Sequence, residues 1–257
     1  MAEFETVRRT GAGVRTAQVD EGLRAHMNKV YGLMAMAMVI TGAAAWAVAG
    51  LAVSDVPTQY QIGSDTFLTS FGVAIYASPL KWVIMLAPLA VVFGMSAGIN
   101  RLSEAGLQGV FWLFSALMGL SLSSIFLVFT GYSIVQVFLV TAIAFAGLSL
   151  WGYTTKKDIS GWGSFLIMGV IGLIVAMLVN IFLASPAVTF AISAIGVLIF
   201  AGLTAYDTQK IKTTYLEMRG TEGEAYLGKA AIMGALSLYL DFINMFMFLL
   251  QLFGNRN

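Results

Sequence analysis

The 257-residue chain contains no cysteine. A disulfide framework and a thiol site are therefore both excluded, and cysteine use carries no information on redox compartment. It contains one histidine, His26, placed ahead of the first apolar run. That excludes a histidine-built metal centre and a Ser-His catalytic pair within a membrane. Charge is scarce too: 11% of residues are Asp, Glu, Lys or Arg, against about 25% in a soluble domain. With 59% hydrophobic residues and a mean hydropathy of +0.86, the composition is that of an integral membrane protein. A net charge of +1 gives no footprint for nucleic acid.

What is present is a series of long apolar runs. About 20 apolar residues cross a bilayer as a helix, and seven runs qualify, near 28–53, 80–100, 107–129, 133–154, 162–183, 187–210 and 229–252. Residues 1–27 form a polar, charged tail ahead of a transmembrane domain at 28–253, and the tail reads as mobile. Its acidic residues and the length of the run behind it favour an uncleaved first span over a signal peptide. Ser54 to Pro79 is the one long connection on its side, with Pro57, Gly63, Asp65 and Ser78-Pro79 as turn signals. The very short connections at Thr130–Tyr132 and Ala184–Pro186 force antiparallel neighbours, hence a compact all-α bundle. Placing the N-terminus in the cytoplasm puts Arg8, Arg9, Arg15, Arg24, Lys29 and Arg101 on that side. Lys156, Lys157, Lys210, Lys212, Arg219 and Lys229 join them, and only Lys81 and Arg256 fall on the other. That asymmetry requires an odd number of spans and a C-terminus outside. Small residues at Gly94 and Gly98, Gly119 and Ser123, and Gly169 and Gly172 mark close helix approaches, while Asn180 and Asn244 read as interhelical hydrogen-bond partners. The Met- and Phe-rich stripe from Met245 to Phe253 reads as lipid-facing or packed surface.

The chain is organised around Phe200–Leu252, where two acidic residues, Asp207 and Asp241, fall within apolar helices. An unpaired ionised carboxylate there costs at least several kcal/mol, so each needs a partner or a task. In a helical hairpin two positions lie at equal depth when the turn is midway between them; the midpoint of 207 and 241 is Glu224, flanked by Gly220 and Gly223. The two carboxylates are thus expected to face each other and share a proton, since ionising one makes ionising the other harder. The segment IKTTYLEM has neither Gly nor Pro and extends the sixth helix to near Met218.

From the third span onward, GLSLSSIFLVFTGYSIVQVFLVTAIAF, GYTTKKDISGWGSFLIMGVIGLIVAMLVNIF, AGLTAYDTQKIK and LSLYLDFINMFMFLL together resemble the Bax inhibitor-1 (transmembrane Bax inhibitor motif) family in its bacterial branch. The resemblance covers roughly 28–253, and its most specific parts are YDTQ around Asp207 and LYLDFIN around Asp241. It implies a seven-helix bundle with six helices around the last, in a bacterial inner membrane. It also implies a pH-sensitive Ca2+ leak pathway, with Asp207 and Asp241 as proton sensor and as oxygen ligands for the passing cation. An arginine at the end of the second helix contacts the acidic pair in that family, and Arg101 is the residue here at that position. No resident cofactor is implied, Ca2+ and H+ being what passes. The Thr213–Gly228 connection is longer than the family pattern.

Four other readings stand beside this one. A protonated pair held by Tyr206, Tyr239, Thr208 or Ser237 would merely bind helices together, and Arg101 with Glu104 would then be an interfacial pair. Some bacterial relatives look like regulators that bind and restrain a membrane protease without conducting, a role that would lean on the polar tail. Intramembrane aspartyl proteases also pair two aspartates, but their second motif is Gly-x-Gly-Asp, whereas Leu238-Tyr239-Leu240-Asp241 stands here; the chain is not expected to be an enzyme. A retinal receptor needs a lysine deep in the last helix, and Lys229 lies at its edge.

Overall fold

The computed structural model describes residues 2–54, 56–61, 67–219 and 224–257, with side chains described from Glu21 and, after the last gap, from Tyr226. The turn signals at Gly63, Asp65, Gly220 and Gly223 lie outside the described residues. Among the described residues, seven helices are long and apolar enough to cross a membrane. They are α1 (Ala2–Ala52), α2 (Leu80–Gly98), α3 (Glu104–Leu122), α4 (Gly131–Thr154), α5 (Trp162–Leu183), α6 (Pro186–Met218) and α7 (Glu224–Phe253). The tail expected at 1–27 is helical from Ala2 and continuous with α1, since no proline interrupts the backbone hydrogen bonding; a membrane-length apolar window of that helix lies within Glu21–Ala52. A short turn, Ile125–Val128, prolongs α3. The long connection after α1 contains an antiparallel pair, β1 (Val53–Ser54) with β2 (Phe67–Leu68), then a π-helical turn at Val73–Ala77.

Local chemistry sets the helix ends. Ser103 Oγ accepts the Gly106 N–H at 3.0 Å and opens α3, and Thr130 Oγ1 accepts the Ser133 N–H at 3.3 Å and opens α4. Ser185 caps α6 with Pro186 in its first turn. Between α5 and α6 the chain reverses through Ala184, whose φ of 47° is left-handed. Asn180 holds that reversal, donating to Thr189 Oγ1 at 2.8 Å and accepting the Ser185 N–H at 3.2 Å. Asn244 instead donates to Leu240 O of its own helix at 2.8 Å and joins no neighbour.

The last helix is the core. In α7, 67% of the membrane-length window is buried, against 11% to 33% in the other six. It packs against α1, α3, α4 and α6, while α2 leans on α3 and α5 on α6. Among the described residues, four of the other six helices supply the main contacts to α7. Met245, Phe246 and Leu250 are buried in this core, Met247, Phe248 and Leu252 are half-buried, and Gln251 and Phe253 are exposed. Tyr239, fully buried, fixes the rotation of α7: Thr41 Oγ1 donates to Ser115 O at 2.9 Å, so the tyrosine hydroxyl donates to Thr41 at 2.8 Å. Helix crossings occur where a Cβ would collide: Gly119 against Thr41 O and Ala44 of α1, and Gly152 against the Ala205 backbone of α6. At Gly94 and Gly172 nothing approaches, so those positions are not crossings.

The antiparallel arrangement gathers the described basic residues at one end, apart from Lys81 and Arg256. That end is cross-tied: Lys29 pairs with Glu104, Lys229 Nζ donates to Ile99 O at 2.9 Å, and Lys212 Nζ donates to Tyr153 O at 2.7 Å. At the opposite end the C-terminal residues clasp the α3–α4 connection, with Thr130 N–H donating to Asn255 O and Asn257 N–H to Val128 O.

Candidate functional site

Asp207 and Asp241 lie on the two helices of the α6–α7 hairpin. As the sequence predicts, α6 continues to Met218, and α7 starts at Glu224. Most of the connection expected at Thr213–Gly228 is therefore helix, and Glu224 itself belongs to α7. The register follows from side-chain contacts. Gly234 lies against Ile211, and Gly196 against Phe248, so residue 207 faces residues 237 and 238. Asp241 is three residues farther along α7, about 4.5 Å at 1.5 Å per residue. The two acids are not level, as the hairpin midpoint implied; Asp241 sits about one turn deeper.

That offset gives them different surroundings. Asp207 is half-buried and lines a cavity of about 280 Å³ at the basic end, with His26, Lys210 and Thr214 on one side and Met233, Gly234 and Ser237 on the other. Asp241 is only 4% exposed. Among the described residues its Oδ2 is the one fully buried side-chain nitrogen or oxygen without a hydrogen-bond partner, a condition that native structures seldom tolerate without a role. No hydrogen bond links the carboxylates, yet Asp207 is near enough for its charge to act on Asp241, and Lys210 for its charge to act on Asp207.

Of the four groups expected to neutralise the pair, Ser237 lines the cavity with Asp207, and the other three are turned elsewhere. Tyr239 is bonded to Thr41, Thr208 Oγ1 donates to Thr204 O at 2.7 Å and meets Ser149, and the Tyr206 hydroxyl lies against Gly163. Arg101 is corrected as well. It is exposed in the turn after α2, its backbone N–H bonds Gly98 O, and it forms no ion pair with Asp207, Asp241 or Glu104. The Glu104 carboxylate belongs to Lys29. An arginine in a loop is placed by the loop's path, which INRLSEAG does not encode.

Two residues at the site escaped the sequence reading. Lys210 lies one turn from Asp207 on α6, at the i+3 spacing that brings side chains together. His26 was set aside as lying before the membrane, yet it is buried, with its ring 4.9 Å from that of Tyr215. The available signal was helical periodicity, because Leu23, His26, Val30, Leu33 and Ala37 form one buried stripe of α1.

Among the described residues no group of three or more His, Cys, Asp or Glu side chains converges. Asp207 and Asp241 by themselves provide two carboxylates, too few to replace the six to eight oxygens around a bound Ca2+, but enough to contact a largely hydrated ion in passage.

The sequence matches known proteins over nearly its whole length. An uncharacterized protein of Caulobacter vibrioides is 47% identical over 238 residues, covering 93% of this chain and 91% of that protein. The inner membrane protein YbhL of Escherichia coli K12 is 44% identical over 235 residues, covering 91% and 93% respectively. The uncharacterized protein RP147 of Rickettsia prowazekii is 42% identical over 238 residues, covering 92% of each. The family profile described as "Inhibitor of apoptosis-promoting Bax1" spans residues 23–257, taking in α1 from Leu23 onward, the other six helices and both aspartates, and the chain therefore belongs to the Bax inhibitor-1 family.

Proposed function

We propose that this protein is a multi-pass inner-membrane leak pathway for Ca2+, controlled by the protonation of Asp207 and Asp241, with its N-terminus in the cytoplasm and its C-terminus outside. The observation carrying the reading is the unpartnered Asp241 Oδ2, buried within electrostatic reach of Asp207, which lines the cavity at the basic end. Two carboxylates within electrostatic reach in a low-dielectric seam retain a proton between them at low cost. In that state α6 and α7 stay packed. When the proton leaves, both acids are negative, their repulsion loosens the seam, and their oxygens suit a hard divalent cation. Lys210 tempers the charge at Asp207, the position nearer to water. The inner-membrane location is supported by the seven apolar helices and by the name of the YbhL relative.

The test is Ca2+ flux in vesicles reconstituted with wild type, Asp207→Asn, Asp241→Asn and the double variant, measured across pH. The wild type should conduct more as pH rises. Each single change should flatten the profile, and the double change should add little, because the two acids act as one unit. An unchanged profile in both folded single variants would remove the sensor role. A wild type that carries no Ca2+ at any pH would end the conduction reading and leave restraint of a membrane protease as the family role to pursue, through truncation of residues 1–20.

A further inference from the structure

A second cavity lies at the basic end on the outside of the bundle. α1 packs chiefly on α3 and α7, and α4 on α6 and α7, so these two helices flank a crevice of about 440 Å³. From α1 come Arg24, Asn28 and Tyr31, spaced i, i+4 and i+7 on one helical face; from α4 come Phe145, Ala146 and Tyr153. The walls are predominantly apolar.

The polar groups of the floor are already satisfied. Thr208 gives its hydroxyl hydrogen to Thr204 O, so Ser149 must donate to Thr208 at 2.9 Å, and Tyr31 must donate to Ser149 at 2.7 Å. A floor whose hydrogens run in one fixed direction into a carbonyl needs no water or ion, and it suits a hydrocarbon chain. The rim is different. Arg24 is exposed and, among the described residues, has no ion-pair partner, whereas Lys29 one turn on is committed to Glu104. On the opposite lip Lys212 Nζ stands 5.2 Å from the centre of the Tyr153 ring. An unpaired guanidinium above a dry apolar slot matches a phosphate attached to an acyl chain: the planar fork takes two phosphate oxygens, and the aromatic lip suits the headgroup depth.

We propose that the α1–α4 crevice binds one anionic phospholipid, its acyl chain lying between Phe145 and Tyr31 and its phosphate on Arg24. The site is separate from the acid pair and does not depend on whether the protein conducts.

Native mass spectrometry of the detergent-purified full chain tests this with phosphatidylglycerol, phosphatidylcholine of the same chain length, and soluble glycerol phosphate. One phosphatidylglycerol per chain should be retained in preference to phosphatidylcholine, and glycerol phosphate should not displace it. Arg24→Gln should weaken retention about fivefold, the share of one basic residue at a lipid surface. Ala146→Phe places a ring in the slot from an exposed position and should abolish retention without lowering the melting temperature. Lys156→Gln, at the same end but outside the crevice, should behave as wild type. The proposal is overturned if the two lipids are held equally, if Arg24→Gln or Ala146→Phe holds phosphatidylglycerol as wild type does, or if glycerol phosphate competes it away, which would mark a simple anion site.

Discussion

Gly152 sets how closely α4 approaches α6, and Ala205, its contact, stands two residues before Asp207. A Cβ at 152 would lie 2.9 Å from Ala205 Cα and 3.0 Å from its carbonyl carbon. Ordinary contact begins at 3.4 Å, and the Ala205 carbonyl oxygen would lie nearer still than the Cα, so the helices must part by more than about 0.5 Å, and backbone atoms cannot swing aside as a side-chain tip does. Overpacking of this kind costs about 1–3 kcal/mol. It competes with the gain of about 1 kcal/mol that alanine brings to a helix in place of glycine. Gly147, on the same helix, has nothing within 4 Å and isolates the second effect. Gly147→Ala should therefore be more stable than Gly152→Ala by the collision alone, about 1–3 kcal/mol, or several degrees in melting temperature for a chain of this size. Unfolding of both variants in mixed micelles measures the difference, and Ca2+ flux against pH reports whether α6 has moved. Equal stability within about 0.5 kcal/mol would refute the idea that a glycine-dependent crossing holds the Asp207 helix in place.

Three further outcomes follow from the same geometry. A reporter fused after Asn257 should be active only when exported and one inserted at 219–223 only when cytoplasmic; a cytoplasmic C-terminus would sink the seven-span orientation. Asn180→Leu should cost about 1 kcal/mol, the scale of a hydrogen bond between membrane helices, because it frees Thr189 and the Ser185 N–H; Asn244→Leu should cost less, and the opposite order in thermal unfolding would contradict these partnerships. Outside the membrane, the backbone N–H of Ser160, with help from its hydroxyl, holds the exposed Asp158 carboxyl below the ordinary 3.8. A lowered folded-state value means that its stabilisation is present above the ordinary value and is lost as pH falls through the folded one; a carboxyl carbon-13 titration placing Asp158 at or above 3.8 would disprove the interaction.

Span number and the gathering of basic residues were legible in the sequence, because membrane insertion is decided by local hydropathy and by charge in short loops. So were the membership in the family, through YDTQ and LYLDFIN, the extension of α6 to Met218, and the identity of the two buried acids, since a carboxylate in an apolar helix is conspicuous wherever it stands. Relations between helices were not. The offset of Asp241 from Asp207 depends on where Ile211 meets Gly234, and the register of two apolar helices is set by side-chain shape, to which hydropathy is blind. Arg101 had the right position along the chain and Lys29 the right position in space; only packing of α1 against α3 brings Lys29 to Glu104. Tyr239 and Thr208 were plausible partners for the acids by proximity in sequence, but helical rotation turns them toward Thr41 and Ser149. Sequence alone determines which residues must be buried in this protein, whereas their neighbours depend on rotation and depth, which many weak contacts decide together.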